Sequence, residues 1–339
     1  MGLQMSGRQI SRRLFRKAAM EAAQASQVEC NPVRANVYVE SHRSLVALVR
    51  ADDRERGIAE ALRLIGGIEP AVTNLKGYVL IKPNCNSHDP FPASTHPDTV
   101  RFVATLLIQQ GLLKEQIVIG DMSGPAWLPT EATMKKNGIL DVARKLGVEV
   151  VPFENEEWMW VKPKKASSWP EGFRIAKKVY EASRIISLPC LKTHQFGGIF
   201  TLSLKNSVGL INPADRAILH KKPGSRIAEI NLAYTTDLII LDGLQCFVSG
   251  GPAHGKAVTS GVIVAGSDRV AVDAVGVAIL KFHEAEGISD VKVKDHEQLK
   301  RAAEIGIGHV DGKLIALKPS NLVNDEKFDD LATFIKHQI

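Results

Sequence analysis

Residues 183–210 read SRIISLPCLKTHQFGGIFTLSLKNSVGL, and the change of character at Leu188 decides how the rest of the chain is read. Residues 183–188 form an apolar run of strand length, and polar chemistry begins where such a strand ends. Lys192, Thr193, His194, Thr201, Lys205 and Asn206 follow, interrupted by Gly197-Gly198 and closed by Gly209. In α/β proteins ligands sit beyond the carboxyl ends of strands, so this segment is expected to form a site. Singly, each lysine is as well explained by solvated surface and His194 by an ordinary core position. As a cluster at one strand end they need a common reason.

Working outward, apolar runs alternate with helical periodicity. Strands are expected at 37–40, 78–81, 117–120, 149–153, 184–188, 238–241, 261–265 and 314–317. Helices are expected at 58–65, 97–110, 131–146, 226–234, 270–283 and 295–305. Such βαβ repetition predicts an α/β fold: a mostly parallel twisted sheet with helices on both faces, in two α/β halves around a cleft. The divisions are a basic tail over 1–35, a first half over 36–155 and a second over 156–339. Residues 154–170 break the pattern with Trp158, Trp160, Trp169 and a run of basic residues, and are expected to form a hairpin or lid.

Other polar groups fall at strand ends on the same sheet edge: Lys82, Asn84 and His88; Asp121 and Ser123; Asp242, Gly250, Gly251 and His254. The Gly-rich segment 249–255 reads equally as an anion cradle or a turn, and it has neither a phosphate-loop nor a dinucleotide pattern. His96 precedes Pro97 at a helix start, which makes it a cap residue with its ring toward the cleft. Asp268 reads as an N-cap. Asp273 interrupts the apolar run VAVDAVGVAI, so it needs a partner such as Lys192, Lys205 or a metal.

These residues together suggest Lys192, His194, Lys205, Asp121 and Asp242 as catalytic groups. Lys82, Asn84, His96, Ser123, Thr201, Asn206, Gly250, Gly251, His254 and Asp273 are then substrate-binding. Proton transfer near neutral pH suits His194, and developing negative charge needs nearby cations. His96, His194 and His254 with Asp121 and Asp242 have ligand chemistry that leaves a divalent metal open, without a close-spaced motif. No GxSxG elbow is present, which disfavours serine hydrolysis.

The 339 residues are 45% hydrophobic and 24% charged, as in an ordinary globular chain. The net charge of +6 is spread along the chain and aromatics are only 6%, so no nucleic-acid stripe emerges and a small anionic ligand fits better. Cys30, Cys85, Cys190 and Cys246 are scattered, and no chain-borne iron-sulfur cluster is expected. No run is apolar for long enough to predict a membrane span. Ser11-Arg12-Arg13-Leu14-Phe15 resembles a twin-arginine signal, but Glu21, Gln24 and Gln27 occupy the place of an apolar h-region. A basic amphipathic helix over 8–26 is expected instead, with a partner subunit as one surface it could pack on. A cytoplasmic location follows, with the periplasm as the alternative should the signal work.

The same segments resemble the family known as domain of unknown function 362. Its shared features stand here as Lys82-Pro83-Asn84, His96-Pro97-Asp98, Gly120-Asp121 with Ser123-Gly124, Leu188 to His194, Lys205-Asn206 with Gly209, and Ser267 to Gly276. Many relatives carry a ferredoxin-like module or a twin-arginine signal, so the resemblance implies redox surroundings and a possible redox protein partner. The module's cysteines are absent from this sequence. The leading reading is an enzyme acting on a small carboxylate or phosphate-bearing metabolite by acid/base or redox-linked chemistry. An alternative is a non-catalytic anion- or cofactor-binding partner of a redox complex. Below both stands an isomerase similar to nickel-dependent lactate racemases, on the likeness of His194, Gly197-Gly198 and Lys205.

Overall fold

The structure, a computed structural model, describes residues 26–31, 33–124, 128–196 and 199–339. The helix expected over 8–26, apart from Ser26, and the pair Gly197-Gly198 lie outside those residues. One large mixed sheet organises the molecule. Its strands are β1 Arg43–Arg50, β2 Val79–Pro83, β3 Ile117–Asp121, β4 Glu149–Pro152, β5 Arg184–Leu188, β6 Cys190–Thr193, β7 Leu238–Gly250, β8 Gly255–Gly266 and β9 Ile315–Asn321. The main path runs β9-β1-β8-β7-β5-β2-β3-β4. Every neighbouring pair on it is parallel except those made by β8, which is antiparallel to β1 and β7. Beyond Pro189 the chain leaves β5 and continues as β6 alongside β7.

The sheet is buried on both faces. In β1, Val46 and Leu48 join one apolar cluster while Ala47 and Val49 join the other, which is why SLVALV reads as a continuous apolar run. Helices α1 Arg54–Ile65 and α2 Pro97–Gln109 cover the second cluster, with α3 Thr130–Lys136 and α4 Ile139–Leu146 beside them. In α1, Ile58, Ala61, Leu62 and Ile65 recur at helical spacing, Asp53 caps the first turn by accepting from Arg56 N, and Gly66 at φ 105° ends it. The site helices are the short α5 Ser203–Asn206 and α6 Pro213–Leu219. The opposite face is covered by α7 Arg269–Phe282, capped by Asp268 as expected.

Several boundaries differ from the sequence reading. The first long strand is 43–50 and not 37–40, because an unbroken apolar run lacks the alternation that marks a half-buried strand. The helix expected over 131–146 divides at Asn137-Gly138, where Gly138 takes φ 86°. Residues 158–161 and 173–176 pair as an antiparallel hairpin, and Trp169, 2% exposed, is core and not lid. The Gly-rich segment is the tip of the long β7–β8 hairpin, with Gly250 opposite Gly255. Among the described residues, no helix is long and apolar enough to cross a membrane.

Candidate functional site

Strands β2 and β3 end beside each other, and Lys82 Nζ meets Asp121 Oδ1 at 2.7 Å, both side chains buried. The other Lys82 protons go to the Pro83 carbonyl at 2.7 Å and Asn206 Oδ1 at 3.1 Å. Asp121 also accepts from Cys85 N at 2.6 Å and Met122 N at 2.7 Å. An ammonium has three protons, so this pair is fully committed to holding the loops after β2 and β3. Gly209 packs directly on it: a Cβ there would stand 2.2 Å from Asp121 Oδ1 and 2.8 Å from Lys82 Nζ. Gly209→Ala is expected to cost about 1–3 kcal/mol by overpacking, read from the urea midpoint. An unchanged midpoint would mean the pair moves aside freely.

Lys192 on β6 is fully buried. Its ammonium donates to Asn84 Oδ1 at 2.9 Å, the Pro252 carbonyl at 3.1 Å and the Ala93 carbonyl. Burial pulls its pKa below the usual lysine value, yet three acceptors need three protons, so the geometry holds the charged form. Among the described residues no carboxylate pairs with it. Lys192 therefore has no proton left for a ligand, and what it offers one is charge.

The hairpin tip explains where one of those acceptors comes from. Gly250 and Gly251 take φ 71° and 80°, and a Cβ on Gly251 would stand 2.1 Å from the Thr193 carbonyl. This close approach brings Pro252 to Lys192. The Gly251 N–H is occupied by the His254 carbonyl at 2.7 Å, so the tip is a tight turn and not the open anion cradle that was one of its two readings.

Lys205 and Asn206 ride on α5. Its Ser203 and Leu204 N–H groups donate to Asp273 at 2.8 and 2.9 Å. Asp273 is thus held by backbone, and among the described residues no ion pair joins it to Lys192 or Lys205. The expected lysine partner is corrected: a helix start supplies two orphan donors, which satisfy a buried carboxylate. Burial still pushes Asp273 up to about 8, against those donors and Arg269. Lys205 lies well below the usual lysine value through burial and the charge of Lys192.

These elements enclose a cavity of about 70 Å³ lined by Lys82, Asn84, Asp121, Lys192, His194, Thr201, Lys205 and Asn206, with Asn86, Pro252 and Arg216. His194 Nδ1 accepts from Phe196 N at 3.0 Å, which leaves the ring proton on Nε2. Burial, then Lys205, Lys192 and His220, push its pKa down to about 2. His194 should show no titration between pH 5 and 8 and keep the Nε2–H tautomer by ring nitrogen shifts; an inflection near 6.5 would contradict it. Because the folded value is depressed, the stability His194 contributes is present above about 6.5 and lost as pH falls toward 2. Thr201 is buried, and its hydroxyl has no hydrogen-bond partner among the described residues.

The remaining expected residues lie elsewhere. Ser123 bonds Thr133 Oγ1 at 2.9 Å and faces away from the cavity. Asp242, fully buried, pairs with Arg54 at 2.6 Å and accepts from Thr99 Oγ1 at 2.8 Å. His96 caps α2 through Nδ1 and lines a different cavity. His254 is exposed, 3.6 Å from Asp89. Among the described residues no three His, Cys, Asp or Glu side chains gather to hold a metal. The Cys85 and Cys190 thiols are pushed up by burial, Cys190 to about 11.

Arg216 was not singled out from sequence. It donates to the Ser123 carbonyl at 2.5 Å, Met122 at 3.2 Å and Ile211 at 3.3 Å, and burial lowers it to about 10. The available signal was Asn212-Pro213, a cap and first-turn proline that start α6 and place Arg216 one turn on.

The family model described as Domain of unknown function (DUF362) matches residues 79–278, more than half of the chain. Among curated proteins, a thylakoid-associated protein of Synechocystis sp. is 27% identical, over 71% of this chain and 75% of that protein.

Proposed function

The chain belongs to the domain of unknown function 362 family, and from that premise we propose that it is an enzyme acting on a small carboxylate or phosphate-bearing metabolite held at Lys205, His194 and Thr201. What carries the reading is an imbalance. Among the described residues, Lys192 is a buried charge met only by neutral acceptors, and it faces the same small cavity as the Lys205 amine and a buried Thr201 hydroxyl that has no partner among those residues. An oxyanion there supplies both the missing counter-charge and the missing partner.

The chemistry follows from the same groups. Burial and the charge of Lys192 hold Lys205 well below the usual lysine value, which disposes its amine to act as a base, so Lys205 takes a proton from carbon beside the anionic group. Neutral His194 donates its Nε2–H to the oxygen on which charge develops, and the fixed charge of Lys192 steadies it. Isomerisation and elimination both begin this way. Lys82, Asp121, Asn206 and Arg216 position the loops and do not react.

A second reading, a non-catalytic anion-binding partner of a redox complex, is favoured by Phe196 and Ile199. These apolar side chains are 59% and 43% exposed beside His194, and the Synechocystis relative is thylakoid-associated.

Thermal melting with phosphate, acetate and malonate tests the site. Wild type should gain stability, about 2.7 kcal/mol at a hundredfold excess over Kd, and Thr201→Val and Lys205→Met should lose most of that response. An equal response in both variants would remove the assignment. Deuterium uptake from solvent into bound carboxylates, abolished in Lys205→Met, supports the enzyme; binding without uptake favours the second reading.

A further inference from the structure

A larger cavity, about 510 Å³, opens beside the first at the same sheet edge, where β1 ends and the β7–β8 hairpin leaves the sheet. It lies within the size range of ligand pockets. Its floor is a guanidinium. Arg54 Nε donates to buried Asp242 at 2.6 Å, and its carbon stands 5.0 Å over the Phe91 ring. The Arg54 Nη groups have no protein partner among the described residues, although its side chain is only 15% exposed. Asp242 is satisfied by Arg54, Thr99 Oγ1 and Leu244 N, so it fixes the fork's direction without covering its outer edge.

Two more donors reach this cavity. Arg50 gives Nε to Asp325 at 2.7 Å and Nη1 to the Gly261 carbonyl at 2.8 Å, leaving Nη2 without a partner among the described residues. Gly261 is needed there, since a Cβ would fall 1.2 Å from Arg50 Nη1. His96 uses Nδ1 as a helix cap, which leaves its proton on Nε2, and its ring meets Phe91 edge-on at 6.0 Å. Phe91, Pro90 and Leu244 supply apolar wall, and Asp52 is the lining's exposed carboxylate.

We propose that this cavity is a second ligand site, for a flat apolar body carrying an oxyanion, either phosphate or carboxylate, with the anion on the open Arg54 fork. A guanidinium fork fixed by a buried carboxylate is preorganised for bidentate recognition. The site takes up His96, which lines it, and Asp242, which holds Arg54 from behind, two groups that lie outside the small cavity. It stands independently of the reading given for that cavity.

Calorimetric titration with phenyl phosphate and, separately, benzoate tests it, because a 70 Å³ space cannot admit either ring. Wild type should bind at least one, and preference between them identifies the anion. Arg54→Lys keeps a cation for Asp242 but removes the fork, and should weaken binding at least tenfold. His96→Asn keeps the cap and should weaken it severalfold, which carries the test if Arg54→Lys melts early. Thr201→Val should leave it unchanged. No binding of either probe at millimolar concentration, or binding untouched by Arg54→Lys and His96→Asn, would overturn the proposal.

Discussion

Replacing Lys82 by methionine is expected to lower the unfolding free energy by about 3–5 kcal/mol, the usual cost of stranding one member of a buried ion pair. The ammonium is tied to Asp121 at 2.7 Å and to two neutral oxygens. Its loss leaves Asp121 charged and buried, with Cys85 N and Met122 N as its remaining donors. Lys82→Met with Asp121→Leu should recover part of the loss and not all of it, since those two N–H groups are then orphaned. Urea denaturation reads both variants. A loss under about 1 kcal/mol for Lys82→Met would mean that Asp121 takes a proton or water instead.

Asp273→Asn should cost about 1–3 kcal/mol, and it should also blunt the response to small anions. A carboxyl accepts from Ser203 N and Leu204 N with its two oxygens, and a protonated oxygen still accepts through a lone pair; an amide must turn its own NH2 toward one of them. The start of α5 then shifts, and Lys205 shifts with it. The wild-type advantage has a pH signature. With the folded pKa raised from 3.8 to about 8, the contribution of the bound proton is fully present below 3.8 and lost as pH rises through 8. The gap between wild type and variant should therefore narrow from pH 5 to pH 9. An unchanged gap over that range would show Asp273 ionised throughout.

Much of this was legible in the chain because strand ends and chemistry coincide there. The apolar run 184–188 marked β5, and Lys192, His194, Thr201 and Lys205 beyond it line one cavity. Asp268 was readable as a cap because capping is local in sequence. What escaped was backbone chemistry. Lys192 is satisfied partly by the carbonyls of Ala93 and Pro252, and Asp273 by two amides, and main-chain groups leave no mark on residue type. Periodicity misled at β1, where both faces are covered, and at the β7–β8 hairpin, whose polar outer half resembles a loop. His96 was placed at the sheet edge but lines a neighbouring cavity, and Asp242 lies beneath that cavity's Arg54, a lateral distinction that strand ends alone do not make.

Strand β1 bears on how the chain assembles during synthesis. Its two long sheet neighbours are β8 and β9, which lie over 200 residues further along. At ordinary elongation rates, about 5–20 residues per second, the apolar SLVALV segment leaves the ribosome roughly 10–40 s before its first long partner exists. For that interval it is an unpaired, β-prone hydrophobic ribbon of the kind that chaperones and stray strands compete for. The helices α1 and α2 can shield one of its faces early; the other waits for α7. Chains stalled before residue 255 should accordingly be captured by holdase chaperones and go insoluble without them, whereas chains released after β9 escape both.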